Sequence, residues 1–195
     1  INESPSYHGY DVTNYDTVDV EYGTEAELTT LLAEAEARGI RIIVDLVLNH
    51  SSSQHPWFVD ALTGPNAPYR DFYVWSDTDL GWTQPWSSGK TWHRTPTGYY
   101  YGLFWDGMPD LNFNSQAVQD TMTNVATQWL SRGIAGFRLD AVRYLVETGG
   151  GAGQKDTEET LAYWRHLREA SDKAAPDALL LGEAWASSAV VSEYF

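Results

Sequence analysis

Apolar positions recur along this chain in a helix-then-strand rhythm. In the first unit Thr24 and Glu27 are spaced as a capping box. Leu28, Leu31, Leu32 and Ala35 follow at i, i+3, i+4 and i+7, one face of a helix, and Arg38-Gly39 supplies its stop. The apolar run from Ile40 to Leu48 predicts a strand buried on both faces, hence parallel to its neighbours. The second unit has Asn114 as its cap, Val118, Met122, Val125 and Trp129 as its inward face, and Arg132-Gly133-Ile134 as its stop. Its strand ends at Asp140. The third unit starts at Asp156, with Glu159 three residues on, and runs through Leu161, Trp164 and Leu167. Pro176 bars its continuation, and a buried strand from Ala178 to Gly182 leads to Glu183. Helices alternating with parallel strands predict an α/β fold, either barrel or open sheet.

Two stretches break the rhythm. Residues 51–113 show no helical period and are dense in Trp, Tyr, Pro, Gly and Asp, which predicts a small irregular subdomain. Gly149 to Gly153 lacks the Gly-Lys-Ser/Thr ending of a phosphate loop and reads as a mobile rim of a cleft.

Composition narrows the chemistry. With 195 residues, 43% of them hydrophobic and 20% charged, the chain can bury a core. A net charge of −15 argues against a nucleic-acid backbone as partner and leans towards a neutral polar substrate and an extracellular or periplasmic protein. The absence of cysteine excludes disulfides and thiolate metal sites. No apolar run reaches the roughly 18 residues of a membrane span. The chain begins at Ile1 rather than Met, so its start is expected to lie inside a larger reading frame. Many aromatic residues occupy polar, loop-like sequence, where flat amphipathic rings suit sugar faces as well as a core.

Asp140 and Glu183 are the leading candidates for chemistry, because each follows an apolar strand and paired acids at strand ends suit glycoside cleavage. Arg138, two residues before Asp140, projects to the same side of the strand and is expected to keep that carboxylate ionised. Glu183, between Gly182 and Ala184-Trp185, is expected in a tight apolar setting that suits a general acid. Asp45, mid-strand, needs a partner and reads as a structural organiser. Asn49 and His50 end that strand facing the cleft or the inserted subdomain, His50 as a substrate contact. Tyr7-His8-Gly9-Tyr10-Asp11 offers a stacking ring and polar arms for a sugar.

These residues line up with a family. The chain resembles the α-amylase family of glycoside hydrolases over essentially its whole length, through Asp45 to His50, Gly136 to Tyr144, Gly182 to Trp185, Met108 to Asn112 and Ser6 to Val12. The resemblance implies a retaining enzyme that cleaves α-1,4 bonds of starch-like glucans through a covalent glycosyl-enzyme. α-Glucosidases and transglucosylases of the same family, or a non-catalytic barrel serving as an interaction domain, are the alternatives. It further implies Asp140 as nucleophile, Glu183 as acid/base, Arg138 as the residue that holds Asp140 ionised, and Tyr10 stacked under the sugar, with His8 and His50 on its hydroxyls. Asn49 and Asp110 match positions that hold a structural calcium in many relatives, although Arg143 and Tyr144 stand where calcium-dependent members often carry Lys-His.

The implied architecture is a partial (β/α)8 TIM barrel, about strands 3 to 5 with their helices, interrupted by the family's domain B. Residues 1–50 and 114–195 would form the barrel parts and 51–113 the insertion. A third carboxylate, in a His-Asp pair after the seventh strand, is expected beyond Phe195. Strands 1, 2 and 6 to 8 are then the partner against which exposed sheet edges would close.

Overall fold

The computed structural model describes residues 1–195. The chain opens with an antiparallel pair, β1 (Asn2–Glu3) and β2 (Asn14–Val18). Helix α1 (Glu25–Glu36) starts from the expected box: Thr24 Oγ1 accepts from the Glu27 amide at 3.2 Å, and the Glu27 carboxylate accepts from the Thr24 amide at 2.8 Å. Of its apolar face, Leu28 and Ala35 are buried, while Leu31 is 52% exposed.

Strand β3 (Val44–Leu46) is shorter than the apolar run around it. Upstream, the Ile42 carbonyl accepts from the Ala135 amide, and the Arg41 guanidinium turns out to the Asp177 carbonyl. The stretch after β3 is more ordered than expected. It contains α2 (Pro56–Ala61), a single 3-10 turn at Arg70–Phe72, and three antiparallel strands, β4 (Trp75–Ser76), β5 (Trp92–Thr95) and β6 (Gly98–Tyr101), in the order β4-β6-β5. The six residues of α2 are too few to register a 3.6-residue period in the sequence. Trp92, Tyr101 and Leu103 form a small core of their own here.

Helix α3 (Gln116–Ser131) buries Val118, Met122, Val125 and Trp129 as its spacing requires. Its N-cap is Ser115 rather than Asn114. Strand β7 (Gly136–Leu139) follows, then α4 (Glu158–Ala174), β8 (Leu179–Gly182) and the short α5 (Ser188–Val191). The cap of α4 is Thr157, whose hydroxyl accepts from the Thr160 amide; Asp156, the expected start, is drawn instead to Arg143.

Strands β3, β7 and β8 form one parallel sheet, in that order, with Val44 opposite Phe137 and Phe137 opposite Leu180. Its register places Asp45 beside Arg138. β8 is not buried: it pairs only with β7, and Leu179 and Leu181 are each 52% exposed. Its approach to β7 depends on Gly136, at φ +143°, where a Cβ would lie 2.0 Å from the Leu179 carbonyl oxygen. The main core lies between the sheet and helices α3 and α4, around Phe137, Trp129, Met122 and Leu167.

Candidate active site

At the C-terminal ends of β7 and β8 the carboxylates converge on Arg138. Its Nη1 donates to Asp140 Oδ1 at 2.8 Å and to Asp45 Oδ1 at 2.9 Å, and its Nη2 donates to Glu183 Oε2. Parallel pairing produces this cluster. Residues two apart on β7 face one side, the β3 ladder sets Asp45 alongside, and the Glu183 amide donates to the Leu139 carbonyl at 3.0 Å. Asp45 therefore has its partner, at the surface rather than in the interior: its side chain is 41% exposed.

The settings of the two acids differ. Burial is the largest influence on Asp140 and, helped by the charges of Glu183 and Asp45, pushes its pKa up to about 6 against the opposing pull of Arg138. Arg138 pulls the pKa down, as expected of it, but burial outweighs that pull, and at neutral pH the carboxyl is still mostly ionised. Glu183 does not sit in an apolar pocket. It is 39% exposed, contacts Arg138, and accepts at Oε1 from the Trp185 indole at 3.1 Å.

A cleft of about 550 Å³ opens beside the two acids. Trp86, Phe104, Tyr144 and Trp185 supply its aromatic walls, and Arg143 and Lys155 its cationic ones. The rings of Trp86 and Phe104 lie 5.5 Å apart, and Trp86 meets Tyr144 edge-on at the same distance. Of the residues around the Gly-rich segment only Lys155, two positions beyond it, lines the cleft. That segment is tied down rather than loose, since the buried Gln154 amide donates to the Tyr101 hydroxyl at 2.9 Å.

The segment after β1 divides. Tyr10 lies beside the acids, its ring 5.7 Å from the Arg138 guanidinium carbon and stacked on His8. His8 is at the surface, with Nδ1 accepting from the Tyr10 amide. Asp11 faces inward, where it accepts from the Ser4 hydroxyl at 2.7 Å and from that of Ser6, so it holds the turn and offers no arm to a sugar. His50 is 2% exposed, with one ring nitrogen against Asn49 Oδ1 and the other against the Tyr10 carbonyl. Burial lowers its pKa to about 4, and its place is beneath Tyr10.

Asn49 and Asp110 meet in the interior. The Asn49 amide donates to the Tyr144 carbonyl at 2.6 Å, and Asp110 Oδ1 accepts from the Leu103 amide at 2.8 Å. Asp110 Oδ2 has no partner, and neither does the buried Oε1 of half-buried Glu147, whose carboxyl feels the charge of Asp110. Burial raises both, and Asp110 raises Glu147 further. Sequence reasoning passed over Glu147, although an acid closing the apolar Leu145-Val146 pair was a visible signal. It also passed over Trp86, a lone ring in a Pro-Ser-Gly loop.

A sequence model described as Alpha amylase, catalytic domain, matches residues 1–195. The chain belongs to the alpha-amylase family. It is 39% identical over 195 residues to Alpha-amylase 3 of Dictyoglomus thermophilum, covering 100% of this chain and 36% of that protein. It is 42% identical over 196 residues to Trehalose synthase of Pimelobacter sp. (strain R48), covering 96% of this chain and 34% of the relative. Among solved structures, an alpha-amylase from H. orenii superposes with a TM-score of 0.86 at 39% identity, over 100% of this chain and 38% of that one. The chain spans about a third of the length of these relatives. Family membership makes the Arg138-centred acids the place to seek glycosidase or transglycosylase chemistry.

Proposed function

We propose that the whole protein carrying this chain is a retaining α-glucan hydrolase acting on α-1,4 bonds, with Asp140 as nucleophile and Glu183 as acid, then base. The observation that carries this reading is the binding of both carboxylates by the one guanidinium of Arg138. Retaining enzymes keep their two carboxyls close, roughly 5–5.5 Å apart, whereas inverting enzymes leave a wider gap that admits a water. In the first step Asp140 Oδ attacks the anomeric carbon while Glu183 protonates the departing oxygen. In the second, Glu183 deprotonates a water that releases the sugar from Asp140. Tyr10, with His8 against it, is the platform for the bound sugar, and Arg138 and Asp45 fix the acids in place. The alpha-amylase relative supports hydrolysis. The trehalose synthase relative and the aromatic cleft support a second reading, transfer of the glucosyl group to another sugar.

The exposed leucines of β8 support a further part of the proposal: the remaining barrel strands cover this edge, and the third carboxylate lies among them.

Calcium fits the interior pair. No group of three His, Cys, Asp or Glu side chains is placed to hold a metal ion, so a metal site would need amide and backbone oxygens as well, which calcium accepts. Asp110 and Glu147, each with an unpaired buried oxygen, would hold the ion together with Asn49 and the Tyr144 carbonyl. When bound it would supply charge neutralisation and stability between the insertion and β7, not chemistry at the acids.

The stereochemistry of the first product tests the mechanism. Proton NMR during early turnover of malto-oligosaccharide should show the α-anomer forming first, and Glu183→Gln should lose most turnover while still binding the oligosaccharide. Initial release of the β-anomer would overturn the retaining assignment.

A further inference from the structure

Beyond the acids, the connection between β7 and α4 and the segment after β8 are joined through one ion pair. Arg143, on the loop after β7, donates from Nε to Asp156 Oδ1 at 2.8 Å and from Nη2 to Asp156 Oδ2. The Asp156 amide donates back to the Arg143 carbonyl at 2.8 Å, and the Tyr194 hydroxyl donates to the same carboxylate at 2.9 Å. The side chains are only 10% and 16% exposed. Paired in this forked way and shielded from water, they form one of the stronger kinds of polar contact in a protein. Asp156 sits at φ +53°, one of two non-glycine residues in the left-handed region. That conformation is disfavoured for an aspartate and persists where surrounding contacts hold it.

The remaining arm of Arg143 matters most. Its Nη1 donates to the carbonyl of Trp185, on the loop after β8, and the Trp185 indole donates to Glu183 Oε1. The Trp185 side chain is 84% exposed, so packing does little to hold it over Glu183. Its backbone tether to Arg143 takes that part.

We propose that the Arg143–Asp156 pair is a positioning device for Glu183, acting through Trp185. This rests on the reading of Glu183 as the acid that protonates the leaving oxygen. A carboxyl free to rotate still occupies the site, but it presents its proton to the glycosidic oxygen for a smaller fraction of the time. Neither Arg143 nor Asp156 needs to touch the reacting atoms.

The test uses two substrates that differ in their need for that proton. Departure of a sugar alkoxide from malto-oligosaccharide requires protonation as the C–O bond breaks. Departure of fluoride from α-glucosyl fluoride requires little. In the whole protein, Asp156→Asn, Arg143→Gln and Trp185→Phe should each lower kcat/KM on malto-oligosaccharide by about tenfold or more, and on the fluoride by less than about threefold. Arg143→Lys, which keeps the charge but not the fork, should recover only part of the loss. Trp185→Phe keeps an aromatic ring on an exposed residue, so it separates the indole donor from any folding defect of the buried pair. Equal losses on both substrates, or no differential effect of Trp185→Phe, would overturn the proposal. If the unsubstituted protein turned over neither substrate, the glycosidase reading itself would fall, and the proposal with it.

Discussion

At the level of single residues, competition around Arg138 decides the character of the site. One guanidinium faces Asp45, Asp140 and Glu183, and Asp140 is also the most buried of the three acids. Desolvation therefore outweighs attraction, and its pKa stands at about 6. A nucleophile must be ionised, so kcat/KM of the whole protein should fall as pH drops through about 6. The same shift has a consequence for stability. Because the folded-state value lies above the ordinary 3.8, the native state holds this proton more tightly than the unfolded chain. The resulting contribution is fully present below 3.8 and is lost as pH rises through about 6. Asp140→Asn removes the buried charge, and should stabilise the fold at pH 7 by on the order of 1–3 kcal/mol, with the gain vanishing near pH 4. Thermal melts at the two pH values check this. A variant no more stable than the parent at pH 7 would show that Arg138 controls the site after all.

At the level of elements, the units that read most clearly from sequence were those with a full helical period. The α3 face of Val118, Met122, Val125 and Trp129 is buried as its spacing demands, and the capping box at Thr24 closes. Boundaries were harder to read. Thr157 displaced Asp156 as a cap because Arg143 draws the acid away, and the N-cap of α3 falls one residue later, at Ser115. β8 is exposed, as an apolar strand at an open sheet edge is, since an apolar run reports what a strand could cover rather than what lies next to it. Gly136 marks the tightest contact in the sheet. Gly136→Ala should cost more than about 3 kcal/mol in denaturant unfolding of the whole protein, as the new methyl meets the β8 backbone. Gly133→Ala, at φ +100° with open space around it, should cost only about 1 kcal/mol. Equal costs would mean that β8 can shift away from β7 freely.

Across the whole molecule, residues 51–113 meet the loops of the parallel sheet at two places: the cleft, lined by Trp86, Phe104 and Trp185, and the Asn49–Asp110–Glu147 cluster. Asp140, Glu183, Arg138 and Tyr10 were legible in sequence because strand ends and motif order mark them. The burial of His50 and Asp11 was not, because short polar segments do not reveal which way they face. If calcium occupies the cluster, EDTA should lower the melting temperature of the whole protein, and Asp110→Asn or Glu147→Gln should abolish that response. A melting temperature indifferent to EDTA would leave the two carboxyls as a proton-sharing pair. The account as a whole turns on Asp140 as nucleophile, and the most direct measurement is to trap the intermediate with a slow fluorinated glucosyl fluoride and map it by mass spectrometry. The account predicts one added sugar on the tryptic peptide Leu139 to Arg143, localised to Asp140 and absent from Asp140→Asn. A sugar found on another carboxylate, or an adduct still formed by Asp140→Asn, would contradict it.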